Sequence, residues 1–194
     1  SIIFTTVINL YCMKKVYVLL ADGFETIEAL TPIDVLRRCG INVVTVSISD
    51  SEVVTSSHKV PVLADSLISE IDSSDGEMAI LPGGYPGFVN LGNSEKVGDI
   101  VKEYFAEGKY VAAICAAPTV LVKNGVAKGY KVTCHSSVVD QMNDVNYIGG
   151  DVVADRNVIT AIGAGRSLEF ALCLAEHLVD DETLNRVKKG LEIL

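Results

Sequence analysis

Val111-Ala112-Ala113-Ile114-Cys115-Ala116-Ala117-Pro118-Thr119-Val120 is the stretch that decides how this chain is read. Its first four residues are apolar and predict a short strand buried on both faces. One cysteine follows, then two alanines and a proline. The run Val120-Leu121-Val122 closes at Asn124-Gly125. That is a strand, a sharp turn and a helix, with Cys115 on the turn. Pro118 suits the first turn of a helix, where its missing N–H costs nothing. Gly125 suits the left-handed residue that follows a helix. Ala116 and Ala117 leave room for the backbone to fold tightly around the sulfur. A thiol placed there points out of the sheet. It also sits at a helix N-terminus, whose partial positive charge and free N–H groups favour the thiolate. The competing reading is an inert core cysteine, a common fate of this residue.

Working outward, the same alternation repeats. Val16 to Ala21 is a continuous apolar run and predicts a strand buried on both faces. Asp22-Gly23-Phe24 is a turn. Glu25 to Arg38 carries a helical period through Ile27, Leu30, Ile33 and Leu36, with Pro32 kinking it or tightening one turn. Gly40 ends that helix, and Ile41 to Ile48 is a second buried strand. Two strands joined by a helix within about 30 residues form a βαβ unit, which implies a parallel sheet and a right-handed crossover. Val53-Val54 and Val60 to Leu63 predict short antiparallel strands at a sheet edge. Met78 to Leu81 is another buried strand, ending in Pro82-Gly83-Gly84-Tyr85-Pro86-Gly87. Val97 to Glu107 is an amphipathic helix. Lys131 to Thr133 is a strand running into Cys134-His135, and Val152 to Asp155 and Asn157 to Ala161 are two more. Ser167 to Val179 is a helix with Ser167 as its N-cap, and Asp180 to Ile193 holds a last, more polar helix. The expected fold is a three-layer α/β sandwich of the flavodoxin-like kind, with a mostly parallel sheet and a small edge hairpin.

Residues 1–12 are uncharged and apolar, and Lys14 and Lys15 follow the run rather than precede it. A secretory signal has the opposite order, and the run is too short to cross a bilayer as a helix. We read residues 1–12 as an extension outside the core and residues 13–194 as a single domain. The 194 residues are 49% hydrophobic and 21% charged, the balance of a globular chain rather than a disordered one. A net charge of −9 argues against nonspecific nucleic-acid binding, which needs a basic footprint. The five cysteines are odd in number and lack C-x-x-C spacing, and the three histidines lack metal-ligand spacing. Neither a disulfide framework nor a metal site is expected. A reducing cytoplasm fits best, with no cofactor and no membrane or nucleic-acid partner.

In a doubly wound fold, ligands sit beyond the C-terminal ends of the strands. The unusual local sequences all fall there. Backbone N–H groups at Gly83 and Gly84, joined by that of Ala116, could hold an oxyanion. Glu25 and Glu28 lie three residues apart on one helix face. Either becomes functional if it reaches Cys115, held protonated by an apolar site or shuttling a proton. His135, at a strand end, is a candidate base, although a lone histidine is more often structural. Gly163-Ala164-Gly165-Arg166-Ser167 resembles a phosphate-binding turn, but it follows the last strand and lacks a third glycine.

Five motifs in order carry a resemblance: Ala21-Asp22-Gly23-Phe24-Glu25-Thr26-Ile27-Glu28, Pro32-Ile33-Asp34-Val35, Leu81-Pro82-Gly83-Gly84, Ala112-Ala113-Ile114-Cys115 and Ser167-Leu168-Glu169-Phe170-Ala171. Together they resemble the ThiJ/PfpI superfamily, closest to its deglycase branch, from about Met13 to the C-terminus. The resemblance implies a class I glutamine-amidotransferase-like fold and a homodimer. It places the nucleophile at Cys115, its partner at Glu28, the oxyanion donors at Gly84 and Ala116, and the active-site histidine at His135. Gly83, Gly163 and Arg166 are the remaining candidates for substrate contact. Two departures matter. The protease-like branch has a histidine directly after the cysteine, where this chain has Ala116. The deglycase branch has two arginines near its pocket, and these positions are Ile162 and His58 here.

Three functions compete. The first is a glyoxalase- or deglycase-like hydrolase or lyase acting on small reactive carbonyls through Cys115, Glu28 and His135. The second is a redox-sensing or chaperone-like stress protein with an oxidisable Cys115. The third, a peptidase or amidase, is opposed by Ala116.

Overall fold

The computed structural model describes residues 14–194, so the extension expected at residues 1–12 lies outside the described residues. Its centre is a seven-stranded sheet. The strands are β1 (Lys15–Leu20), β2 (Asn42–Ser47), β5 (Ser66–Leu67), β6 (Met78–Leu81), β7 (Tyr110–Ile114), β10 (Val152–Asp155) and β11 (Val158–Ala161). Their order across the sheet is β10-β11-β7-β6-β1-β2-β5, and every pair is parallel except β10 with β11. Val16, Val18, Leu19, Met78, Ile80 and Ile114 are wholly buried. Strands covered on both faces need no polar alternation, which is why these runs read as continuously apolar.

Helices cover both faces. On one lie α1 (Thr26–Arg38), α5 (Ser167–Glu176) and α6 (Asp181–Gly190), with Ala29, Leu36, Phe170 and Leu184 packed against Val16, Ile80 and Ile114. On the other lie α2 (Gly87–Asn93), α3 (Glu95–Ala106) and α4 (Pro118–Lys123), with Leu91, Val101 and Leu121 packed against Leu19, Leu81 and Ala113. The hairpin of β3 (Val53–Thr55) and β4 (Pro61–Leu63) forms its own two-stranded sheet. It is pinned to the turn after β1, where Gly23 N–H donates to the Thr55 carbonyl at 2.9 Å and Ser57 N–H to the Phe24 carbonyl at 2.8 Å. The edge of the main sheet is the two-residue β5 instead. A parallel pair of β8 (Lys131–Val132) and β9 (Asn146–Tyr147) completes the strands.

One local expectation is corrected. Ser167 is the first residue of α5 rather than its cap: Arg166 holds the cap position and no side chain caps the helix. The preceding 3₁₀ turn, Ala164–Arg166, leads directly into the helix and displaces the serine by one position. The Ser167 hydroxyl is buried without a hydrogen-bond partner. The Pro82–Gly87 segment runs into the short helix α2.

The strand order reverses at β1, which has β2 on one side and β6 on the other. The crevice beyond the carboxyl ends of such strands is where open α/β sheets bind ligands. The Glu28 helix and the Gly83-Gly84 loop flank that crevice, and Cys115 stands one strand further along.

Candidate active site around Cys115

Cys115 follows β7 directly with φ 66°, in the left-handed region that a residue with a Cβ avoids at a cost of about 1–2 kcal/mol. The strain is held from two neighbouring elements. The Cys115 N–H donates to the Ala161 carbonyl at the end of β11 at 2.9 Å, and the Cys115 carbonyl accepts from the His135 N–H at 2.8 Å. Thr119 then donates its hydroxyl to the Ala116 carbonyl at 2.7 Å, fixing the first turn of α4. A strained strand-to-helix turn that lifts one nucleophile out of a sheet is the geometry of a nucleophile elbow.

Glu28 is wholly buried. It sits in the first turn of α1, whose N-cap is Glu25; that carboxylate accepts from the Ile27 and Glu28 N–H groups. The helix start therefore engages Glu25 and leaves Glu28 free to turn inward. Glu28 Oε2 accepts from the Gly83 N–H at 2.8 Å. The Cys115 side chain adjoins this carboxyl across Gly83, and Glu28 Oε1 is buried with no hydrogen-bond partner.

Glycine is required between the two groups. A Cβ on Gly83 would fall 2.7 Å from both Cys115 Cβ and Glu28 Oε2. Gly84, at φ 92°, folds the loop onto the Gly23–Glu25 turn, where a Cβ would fall 2.7 Å from the Gly23 carbonyl oxygen. This brings the Gly84 N–H, with that of Ala116, to the Cys115 sulfur.

The electrostatics correct one expectation. Burial pushes the Cys115 thiol up to about 12, and the adjacent Glu28 charge adds to that shift. The Ala116 and Gly84 N–H groups pull the other way and do not prevail. The start of a six-residue helix beside a buried carboxylate is a weaker influence than desolvation and like charge combined. Burial likewise raises Glu28 to about 7, against the lowering effects of Cys115 and the Gly83 N–H. The pair titrates as a unit. Its monoanion near neutral pH carries the charge mainly on Glu28, which makes the carboxylate a base able to take the thiol proton.

His135 meets Cys115 through its backbone. Its ring Nδ1 accepts from the Ser137 N–H at 3.1 Å and lies 2.7 Å from the Ser137 hydroxyl, which leaves the proton of the neutral ring on Nε2. The ring lines a separate cavity of about 440 Å³ with Ser136, Asp151, Gly163 and Arg166. Arg166 is committed to Glu169 at 2.7 Å and Asp151 at 3.2 Å. The structure thus gathers Cys115, Glu28, Gly83, Gly84 and Ala116, and places Gly163, Arg166 and His135 around the other cavity. His58 is exposed and lies 3.8 Å from Glu25.

The family model described as the DJ-1/PfpI family matches residues 14–177. Protein dj-1beta of Drosophila melanogaster is 41% identical over 180 residues, covering 92% of this chain and 96% of that protein. Its crystal structure superposes with a TM-score of 0.91 at 40% identity, over 94% of this chain and 99% of that one. A Caenorhabditis elegans protein named glutathione-independent glyoxalase DJR-1.2 is 33% identical over 172 residues, 88% of this chain and 91% of its own length.

Proposed function

The chain belongs to the DJ-1/PfpI family, and on that premise we propose that it acts without glutathione on small reactive carbonyls, with 2-oxoaldehydes such as methylglyoxal as the substrate class. One observation carries this reading: a thiol on a strained turn is coupled to a buried carboxyl that titrates near neutrality, with two backbone N–H groups at the sulfur. The glyoxalase named among its relatives supports it.

In the proposed mechanism, sulfur attacks the aldehyde carbon while the S–H proton passes to Glu28. The Gly84 and Ala116 N–H groups hold the oxygen as it takes up negative charge. Glu28 returns the proton to that oxygen and the hemithioacetal is complete. Glu28 next removes the hydrogen from the former aldehyde carbon and delivers a proton to the adjacent carbonyl carbon, while the hemithioacetal O–H proton passes to that carbon's oxygen, which leaves a 2-hydroxy thioester. Water hydrolyses the thioester to a 2-hydroxy acid and frees the thiol. The net change is addition of one water, so no oxidant or reductant is consumed. His135, with its free Nε2 proton, is the candidate for contact with the substrate's second oxygen. The working unit in this proposal is a cytoplasmic homodimer, which light scattering and cell fractionation check.

The test is methylglyoxal consumption in the absence of glutathione. The wild-type chain consumes it and Cys115→Ala does not; full activity in that variant removes the proposal.

A second reading rests on the same N–H groups. Peroxide would convert the thiol to a sulfenic acid with release of water, and a second equivalent would give the sulfinic acid. The Gly84 and Ala116 N–H groups are placed to hold the added oxygens. Mass spectrometry after mild peroxide tests this: Cys115 oxidises ahead of Cys39 and Cys173, and equal oxidation of the three rules it out.

A further inference from the structure

A cavity of about 300 Å³ opens between α2 and α4, on the sheet face opposite Glu28. The volume lies at the lower end of the range for small-ligand sites. Its walls include Phe88, Val89, Val120 and Val122. Thr119 lines it too, but its hydroxyl proton is already given to the Ala116 carbonyl at 2.7 Å. Asn93, Lys123 and Gln141 supply the rest of its polar lining.

One cation stands at this cavity. Lys123 Nζ donates to Asn93 Oδ1 at 2.8 Å, a neutral partner. Among the described residues no carboxylate lies within ion-pair distance of it. The stem of Lys123 lies along the cavity wall: a Cβ built on Gly92 of α2 would sit 3.5 Å from Lys123 Cδ and 3.8 Å from Nζ. The long side chain thus contributes apolar surface as well as its charged head.

We propose that this cavity is a binding site for a small carboxylate with a compact apolar body, seated on the valines and Phe88 with its carboxylate on Lys123. The site is separate from Cys115, and its occupancy does not depend on the proposed reaction.

Phenylacetate serves as the probe and phenylacetamide as its neutral isostere, each titrated by amide NMR. Phenylacetate is expected to saturate, with shifts confined to residues 87–93 and 119–123. Phenylacetamide binds about tenfold more weakly, the difference expected for one charge-assisted hydrogen bond. Lys123→Gln brings phenylacetate down to the affinity of the amide. Gly92→Leu provides a second, independent variant: its Cβ makes an ordinary contact rather than a clash, and the longer side chain fills the cavity and abolishes binding. Equal affinity for acid and amide, full binding in Gly92→Leu, or the absence of saturable binding at millimolar phenylacetate would each overturn the proposal.

Discussion

Two clusters of ionisable side chains lie at opposite ends of one sheet. At the N-terminal edge, the Tyr17 hydroxyl donates to the Asp75 carboxylate, and Lys15 pairs with the same carboxylate at 2.7 Å. The Tyr104 hydroxyl donates to the Ser73 carbonyl, and Lys109 donates to the Ser74 carbonyl at 2.6 Å. Burial first, and Asp75 second, push Tyr17 well above the ordinary tyrosine range. Burial works to raise Asp75 as well, but Lys15 and Tyr17 outweigh it and hold the carboxylate below its usual range. At the C-terminal edge, Glu28 and Cys115 are shifted just as strongly. There one carboxyl oxygen lacks a well-directed partner and the nucleophile's backbone is strained. Perturbed ionisation is common to both ends, so it does not mark the site. What separates them is completeness: the tyrosine clasp has used its hydrogen bonds, while the thiol pair has kept an atom and a strained turn in reserve.

Substitutions can break the contrast from either end. The largest effect is expected from Cys115→Ala, which should lower methylglyoxal consumption by about 10³-fold or more while leaving the protein folded. Circular dichroism alongside the assay checks both halves.

Glu28→Gln comes next, with a loss of about 10²–10⁴-fold because the base is gone. Its stability should move the other way. The folded carboxyl titrates near 7 against an ordinary 4.5, so its stabilising contribution is complete below about pH 4.5 and is lost as pH rises through 7. An uncharged amide escapes that loss. Glu28→Gln should therefore be more stable at pH 8, by on the order of 2–3 kcal/mol, with the gain fading below pH 5. Thermal melts at the two pH values read it directly.

Gly83→Ala pushes a methyl between the sulfur and the carboxyl and should cost about 10–100-fold in rate, since small misplacements of reacting groups are expensive. The smallest effect on activity belongs to the clasp. Tyr17→Phe should change the rate less than about twofold, yet it removes a donor to Asp75 and should lower stability by about 1–2 kcal/mol in denaturant unfolding. A large rate loss in Tyr17→Phe would erase the distinction between the two ends.

Much of this was legible in the sequence because two-sided burial writes itself as uninterrupted apolar runs, seen at Val16–Leu20 and Met78–Leu81. The strand-to-helix turn at Cys115 announced itself through Ala116, Ala117 and Pro118. What escaped depends on distances along no single segment. The sequence suggests a thiolate because a helix follows the cysteine, but the charge that opposes it comes from α1, nearly ninety residues away. Arg166 follows a glycine-rich turn and reads as an anion ligand, whereas its partners Asp151 and Glu169 become evident only once β10 and α5 are placed. His135 reads as a base, and the neighbour that claims its Nδ1 is Ser137, two residues on. That contact was open to a local reading, since serine two positions after a histidine cap suits such a turn. Glu25 was read as the first residue of the helix it caps, since glutamate is not among the favoured N-cap residues.

The central claim is that Glu28, as a carboxylate, takes the proton of a thiol that is otherwise un-ionised. The most direct test is the rate of Cys115 alkylation by iodoacetamide as a function of pH, in the wild type and in Glu28→Gln. The account predicts a wild-type step with a midpoint near pH 7, where Glu28 ionises, and a further rise only toward the high pH at which the buried thiol itself ionises. In Glu28→Gln the step near 7 disappears and only the high-pH rise remains. A step near pH 7 that persists unchanged in Glu28→Gln would contradict the account.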